Sequence, residues 1–144
     1  METRVSQVYY CPNKPPSWVG QADKNGCAVA CLAMLTKTAY WKVARYFSKT
    51  ELWDEGIAER QISDYLAEVG YAVRRLEWES GRKWPPKPFA DVHIAMVLPI
   101  AYSEMAHCVV WLRDGTVLDP GDPLPGRISD YFAVQSVIGA TKLD

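Results

Sequence analysis

The chain has little that would direct it to a polyanion or a lipid bilayer. Its 144 residues include 16 basic and 17 acidic side chains, so the net charge is -1 and gives no long-range attraction for nucleic acid or an anionic membrane. No stretch approaches the roughly 18 apolar residues that span a bilayer, and the first residues lack the basic-then-apolar order of a signal peptide. We therefore expect a cytoplasmic protein with no nucleic-acid or membrane partner.

Cysteine and histidine are also scarce. The cysteines are Cys11, Cys27, Cys31 and Cys108, and the histidines are His93 and His107. Two disulfides are possible in principle, but Cys27 and Cys31 lie four apart in a helix-forming run, and a cytoplasmic compartment is reducing. Zinc ligation by the last three cysteines and His107 is a second alternative, and the lack of paired Cys-x2-Cys spacing argues against it. We expect neither a metal nor a cofactor.

What the chain does contain fits one globular domain. Apolar residues make up 49% and charged residues 23%, close to the average for soluble domains, and the length suits a single unit over residues 1–144. Residues 1–20 hold three prolines and a closing glycine, which favours an extended N-terminal arm. Nothing in the sequence indicates the oligomeric state.

Helices are predicted in the first half of the chain. Residues 27–35 are a run of helix formers without a breaker, and Asn25 is the expected cap before it. In residues 39–47 apolar side chains recur at i, i+3, i+4 and i+7, and in residues 57–69 a similar face is followed by Gly70 as a stop signal. These three segments are predicted to be α-helices.

Strands are predicted mainly in the second half. The β-prone apolar runs are residues 71–76, 92–102, 107–112, 116–118 and 134–143. Arg113-Asp114-Gly115 separates two of them and is typical of a hairpin turn. Helices followed by strands, with no internal repeat, predict an α+β fold in which N-terminal helices pack on a C-terminal antiparallel sheet.

Cys27 is the candidate nucleophile. At the start of a helix, unpaired backbone N–H groups and the positive end of the helix dipole favour the thiolate over the thiol. A thiolate nucleophile needs a base that takes its proton and later returns it to the leaving group. His107 opens an apolar run, where a side chain can face a cleft, whereas His93 lies inside a strand and is interpreted as a core or surface histidine. We therefore assign His107 as the base.

Two further residues complete the candidate site. A catalytic imidazole needs a partner on its second nitrogen, and the hairpin returns Asp119 beside His107. Attack on a carbonyl develops an oxyanion that needs hydrogen-bond donors, and Gln21, six residues before Cys27, can reach back over the helix start. A turn is the alternative for Asp119 and the preferred interpretation for Asp122.

Several motifs follow one another in a recognisable order. Gln21, five intervening residues and Cys27 precede Ala-Val-Ala-Cys-Leu-Ala-Met-Leu, and residues 56–73 form a helix that ends in Leu-x-x-x-Gly-aromatic before a strand. Met-Ala-His107-Cys-Val-Val, Val-Leu-Asp119-Pro and the segment 127–132 come next. This order resembles the bacteriocin-processing, double-glycine-leader peptidases, a papain-like family of cysteine peptidases, over most of residues 20–143.

The resemblance implies a papain-like fold and a role for each matched residue. Gln21 would be the oxyanion-hole residue, Cys27 the nucleophile, His107 the base and Asp119 the residue that orients the histidine. Two features depart from the family pattern. Its usual Asp-Cys-Gly is replaced by Gly26-Cys27-Ala28, and no transporter segment is present in the 144 residues. The family's substrate therefore does not carry over to this chain.

Several functions are compatible with these residues. The leading hypothesis is a thiol hydrolase that cleaves a peptide or isopeptide bond in a protein or peptide substrate. A glutamine deamidase or transglutaminase-like effector would use the same triad, and a non-catalytic peptide-binding module is an alternative from a different class. Small size alone adds the conjecture of a phage or bacterial anti-defence factor. Candidates for the walls of a peptide groove are Trp18, Trp78, Trp84 and Trp111.

Overall fold

The computed structural model describes residues 16–22, 26–47, 57–77, 87–99 and 106–143. Within these ranges the helices are α1 (Cys27–Thr36), α2 (Tyr40–Phe47) and α3 (Glu59–Glu68). The strands are β1 (Tyr71–Glu77), β2 (Val92–Leu98), β3 (His107–Leu112), β4 (Thr116–Asp119), β5 (Asp122–Arg127) and β6 (Ala133–Lys142). A single 3-10 turn, Ile128–Asp130, joins β5 to β6. No helix among the described residues is long and apolar enough to cross a membrane.

All six strands form one antiparallel sheet in the order β1-β6-β2-β3-β4-β5. The predicted α+β layout, with helices before most of the strands, is confirmed. Strand β5 was not predicted, because its sequence contains two prolines. It lies at the edge of the sheet, where proline costs no ladder hydrogen bond. The turn predicted around Asp122 is therefore shorter, and Asp122 is the first residue of β5.

Helix α1 is the centre of the larger core. Its residues Ala28 to Leu35 are each at most 3% exposed, which fits a helix that is apolar on all sides and enclosed by other elements. It packs on β3 and β2 and contacts both other helices. Burial of each large apolar side chain stabilises the fold by about 1.5–3 kcal/mol. The N-terminus of α1 is thereby fixed against the sheet.

The ends of the helices agree with the sequence except at one cap. Helix α3 is followed by Gly70 with φ 97°, a left-handed conformation that glycine adopts without strain. Helix α1 ends with Lys37 in the left-handed region. Helix α1 begins at Cys27, so its N-cap is Gly26 rather than Asn25. Gly26 has no side chain, and the helix therefore has no side-chain cap. Asn25 lies outside the described residues.

The second face of the sheet is covered by irregular segments. Its buried residues are Ala95, Val97, Val109, Trp111, Val117, Val134 and Val137. Phe89, Ile128 and Tyr131 pack on them from the segment before β2 and from the 3-10 turn. A Cβ at Gly139 would lie 2.5 Å from Phe89 Cε2, so the first of these segments crosses the sheet where a strand residue has no side chain.

Candidate active site

Cys27 is the first residue of α1. It is half-buried, and the Ala30 N–H bonds the carbonyl of Gly26 at 2.9 Å, so the helix begins directly at the thiol. The first N–H groups of a helix have no partner within the helix, and the dipole places partial positive charge there. The predicted position of Cys27 at the start of a helix is therefore present in the fold.

His107 and Asp119 are brought together by the β3–β4 hairpin. The pairs Val110–Leu118 and Trp111–Val117 set the register. One further step places Asp119 opposite Val109, on the same face as His107 and diagonal to it. His107 Nε2 donates to Asp119 Oδ1 at 2.6 Å, with side chains 23% and 18% exposed. This bond leaves His107 Nδ1 for Cys27, whose sulfur contacts the ring.

Asp119 is held by more than its histidine. The Gly121 N–H donates to Asp119 Oδ1 at 2.7 Å, and the Tyr131 hydroxyl donates to Oδ2 at 2.7 Å. The Trp18 indole N–H, 101 residues earlier, donates to the Asp119 backbone carbonyl at 2.7 Å. Both carboxylate oxygens and the backbone of Asp119 therefore have hydrogen-bond partners.

The charges of the site follow from these contacts. The Cys108 thiol lowers the pKa of Cys27; burial opposes this, and His107 and the Cys108 N–H bring the Cys27 pKa to about 4. The hydrogen bond with Asp119, aided by Cys27, raises the pKa of His107 to about 9. Burial raises the pKa of Asp119, but the donors around it outweigh burial, so its pKa is lowered. Between these values the site holds a thiolate beside an imidazolium.

The Cys108 thiol has two sulfur atoms within reach. Cys108 Sγ donates to Met96 Sδ at 3.5 Å, and it also interacts with the Cys27 sulfur, whose pKa it lowers. A hydrogen bond to a charged acceptor is roughly twice as strong as one to a neutral acceptor. An ionised Cys27 therefore competes with the Met96 thioether for the Cys108 proton.

Comparison with solved structures gives the fold a family context. The peptidase domain of Streptococcus ComA, a bi-functional ABC transporter involved in a quorum sensing pathway, matches with a TM-score of 0.59 and 17% identity, covering 89% of this chain and 98% of that one. The peptidase domain of Streptococcus mutans ComA matches with a TM-score of 0.51 and 17% identity, covering 86% and 98%. The chain therefore shares the fold of these peptidase domains, a papain-like α+β fold. The sequence matches no protein-family model and no curated protein.

The papain-like fold expected from the sequence is thus confirmed, and the chain spans nearly the whole of both peptidase domains. Gln21 lies, half-buried, in the irregular stretch 16–22. Trp18 from the same stretch bonds Asp119, so this part of the chain runs beside the hairpin that carries His107 and Asp119. Gly26 and Ala28, where the family motif is altered, are both buried at the start of α1.

His93 is placed as the core histidine that the sequence offered as an alternative. It is fully buried. Its Nε2 accepts the N–H groups of Phe89 and Ala90, each at 3.1 Å, and its Nδ1 lies 2.9 Å from the Trp111 carbonyl. These partners require a neutral ring with the proton on Nδ1. Burial lowers the pKa of His93.

The other cysteines have simple environments. Cys31 is fully buried one turn after Cys27, and burial raises the pKa of its thiol. Cys27, Cys31 and Cys108 are free thiols, while Cys11 lies outside the described residues. Within the described ranges no group of three or more His, Cys, Asp or Glu side chains is arranged to hold a metal ion.

Sequence reasoning missed the supporting residues of the site. Gly121 gave no signal, and Tyr131 entered only as part of the matched segment 127–132, because their contacts with Asp119 depend on the path of β5 and the 3-10 turn. Trp18, one of the candidates for a groove wall, is exposed and donates its indole N–H to Asp119, a contact that the sequence did not predict. Trp111, another of these candidates, is 4% exposed in the core and therefore lines no groove. Trp78 and Trp84 lie outside the described residues.

Proposed function

We propose that this protein is a cysteine peptidase that hydrolyses a peptide or isopeptide bond of a protein substrate. Cys27 is the nucleophile, His107 the acid and base, Asp119 the residue that orients His107, and Gln21 a donor to the oxyanion. The observation that carries the proposal is the contact of the helix-start thiol with a histidine whose far nitrogen lies 2.6 Å from a carboxylate. The fold shared with cysteine peptidase domains supports it.

In the acylation step the Cys27 thiolate attacks the carbonyl carbon of the scissile bond. The negative charge that develops on the carbonyl oxygen is stabilised by the Cys27 backbone N–H, one of the free donors of the helix start, together with the Gln21 amide. The His107 imidazolium then gives its proton to the leaving amine, which departs as the first product. The remaining acyl group is bonded to the Cys27 sulfur.

In the deacylation step His107 changes role. The neutral ring takes a proton from water, and the resulting hydroxide attacks the thioester. Collapse of the second tetrahedral intermediate releases the carboxylic acid product, which loses its proton to solvent, and restores the thiolate beside the imidazolium. Asp119 keeps the Nε2–H of His107 fixed throughout, so that Nδ1 faces the reacting atoms in both steps.

The pKa shifts favour a reactive site over a binding module. A module that only holds peptides has no need of a cysteine with a pKa of about 4 beside a histidine with a pKa of about 9. Alkylation with iodoacetamide at pH 6 distinguishes the two, because only a thiolate reacts rapidly. We expect fast modification at Cys27 alone. Reaction at Cys27 no faster than at Cys11 would argue for the binding module.

The substrate chemistry is tested by exposing a bacterial lysate to the wild-type protein and to the Cys27→Ala variant. Mass spectrometry of labelled N-termini reports new chain ends, which we expect only with the wild type. Cys31→Ala is the matched control, because it removes a buried thiol one turn further along α1 and is expected to leave the cleavage pattern unchanged. If Cys27→Ala gives the same new termini as the wild type, the proposal is wrong.

The same experiment separates peptidase from deamidase activity. A deamidase produces no new termini and instead adds about one dalton to a glutamine, because water replaces ammonia at the side-chain carbonyl. In that outcome Cys27 and His107 would keep their roles, but the bond hydrolysed would be the side-chain amide of glutamine and not a peptide or isopeptide bond.

A further inference from the structure

The two carboxylate oxygens of Asp119 accept hydrogen bonds from different residues. Oδ1 accepts from His107 Nε2 at 2.6 Å and from the Gly121 N–H at 2.7 Å. Oδ2 accepts from the Tyr131 hydroxyl at 2.7 Å. The carboxylate torsion of an aspartate is soft and roughly two-fold, so the Tyr131 hydroxyl on Oδ2 and the Gly121 N–H on Oδ1 together fix which oxygen faces His107 and at what angle.

Tyr131 is itself held on both sides. Its N–H bonds the Ile128 carbonyl at 3.3 Å, which closes the 3-10 turn, and the next residue, Phe132, donates its N–H to the Leu98 carbonyl of β2 at 2.9 Å. The Tyr131 ring is half-buried and packs on the cluster that contains Val109 and Trp111. The hydroxyl therefore approaches Asp119 from a fixed position on the sheet.

The hydroxyl remains a donor over the whole working range of pH. Burial and the neighbouring Asp119 raise the pKa of Tyr131 far above its ordinary value. Tyrosinate would be repelled by the carboxylate, so the bond can form only with the proton on Tyr131.

We propose that Tyr131 is a positioning residue of the active site, which acts on His107 through the second oxygen of Asp119. The proposal rests on the function proposed above for His107 but not on the identity of the substrate. With Tyr131 in place, one orientation of the carboxylate is selected, and the His107 ring keeps Nδ1 directed at Cys27. Without the hydroxyl, Oδ2 is left half-buried without its donor, and the carboxylate can turn.

The test compares Tyr131→Phe with Tyr46→Phe in the full chain. Tyr46 is the matched control, because its hydroxyl also bonds a carboxylate, that of Glu68 at 3.3 Å, on the exposed surface of α2 and α3. The readout is the His107 Nε2–H proton in the NMR spectrum and the pH midpoint of the His107 ring. Neither depends on finding a substrate.

In the wild type and in Tyr46→Phe we expect a downfield, slowly exchanging Nε2–H signal. In Tyr131→Phe we expect this signal to broaden or disappear and the His107 midpoint to fall from about 9. Where a substrate or a nitrophenyl ester is hydrolysed, kcat should fall about tenfold at unchanged KM, as the loss of one charge-assisted hydrogen bond implies. An unchanged Nε2–H signal and an unchanged midpoint would overturn the proposal, whatever happens to thermal stability.

A second variant covers the case in which Tyr131→Phe does not fold. Site-specific 3-fluorotyrosine at position 131 keeps the size of the ring and makes the hydroxyl a stronger donor. At pH 6 the stronger donor should hold the carboxylate more firmly in the same orientation, so the Nε2–H signal should exchange more slowly than in the wild type; an unchanged exchange rate contradicts the proposal. If Cys27→Ala leaves the lysate pattern unchanged while these changes occur, the proposed function fails and the role of Tyr131 stands.

Discussion

The two histidines of this chain lie on neighbouring strands of one sheet and have opposite environments. His93 pairs with Trp111 and His107 with Val97, so they stand about 13 Å apart along the β2–β3 pair, four residues at about 3.3 Å each. His93 is fully buried with backbone partners on both nitrogens. His107 is partly exposed, with a carboxylate on one nitrogen and a sulfur beside the ring.

The difference shows what makes a histidine chemically available. Burial lowers the pKa of His93, and a proton added to Nε2 would displace the two N–H donors that bind it. Asp119 raises the pKa of His107. The other partner of the His107 ring is the Cys27 side chain, whereas both nitrogens of His93 bond backbone groups. The first ring stabilises the path of the chain before β2, and the second keeps a partly exposed position beside the Cys27 sulfur.

The largest expected effect is that of His107→Ala on catalysis. Loss of a general acid and base typically lowers turnover by about 10²–10⁴-fold, and the Cys27 thiolate loses its positive neighbour. We expect the alkylation midpoint of Cys27 to rise from about 4 and substrate turnover to fall within that range. Iodoacetamide labelling across a pH series, followed by intact mass, measures the first effect. If His93→Leu produces the same loss in its folded fraction, the assignment of the two histidines is reversed.

The next effect concerns stability. His93→Leu leaves the N–H groups of Phe89 and Ala90 without their acceptor and the Trp111 carbonyl without its donor. An unsatisfied buried group costs about 1–3 kcal/mol, so we expect the free energy of unfolding to fall by about 3 kcal/mol. Urea denaturation at pH 7 measures this change. The Cys27 alkylation midpoint serves as the control and should not move; a shift of that midpoint would mean that His93 communicates with the site.

The fold was largely predictable because its signals are local. The helix-forming run of α1, the apolar faces of α2 and α3, the Arg113-Asp114-Gly115 turn and the strand of His107 all follow from propensity, periodicity and turn chemistry within short windows. Strand β5 was missed because only its place at the edge of the sheet makes its prolines acceptable. Sheet order depends on pairing between distant segments, and no local pattern encodes it.

The centre of the site was also predictable, and its surroundings were not. Cys27 at a helix start, and a hairpin that returns Asp119 to His107, are short-range features. Tyr131 and Trp18 reach Asp119 from opposite ends of the chain, and their sequence neighbourhoods resemble ordinary packing segments. Residues that hold a catalytic group in place are recruited by tertiary structure, so they leave little trace in sequence pattern.

The third prediction uses pH to separate the two histidines. In Cys27→Ser the thiolate no longer contributes, and His107 keeps a raised pKa because Asp119 is its main cause. The contribution of His107 to the free energy of unfolding is complete below about pH 6.5 and is lost as pH rises toward the folded-state pKa of His107. The lowered pKa of His93 has the opposite sign, so its stabilisation is complete above about pH 6.5 and is lost as pH falls.

Unfolding free energy of Cys27→Ser should therefore be highest near pH 6.5 and fall on both sides, by at most about 1.4 kcal/mol per pH unit for each group. In the wild type the alkaline fall should be offset between pH 6.5 and 9, because the lowered pKa of Cys27 adds stability as pH rises. When His93→Leu is added to Cys27→Ser, the fall of the unfolding free energy below pH 6.5 should become smaller, and the fall above pH 6.5 should not change. Flattening of the alkaline side by that substitution contradicts the comparison.

The smallest expected effect measures how much of the Cys27 shift is independent of His107. Cys108→Ala removes the thiol that donates to the Cys27 sulfur, and hydrogen bonds to charged groups are worth about 1.5–3 kcal/mol, or about one to two pH units. The alkylation midpoint of Cys27 should rise by that amount while the His107 pKa stays high, since Asp119 is untouched. Cys108→Ser, which keeps a donor, should restore the low midpoint, and Cys31→Ala should leave it unchanged. If Cys108→Ala has no effect, its proton is directed at Met96, and His107 and the helix start alone hold the thiolate.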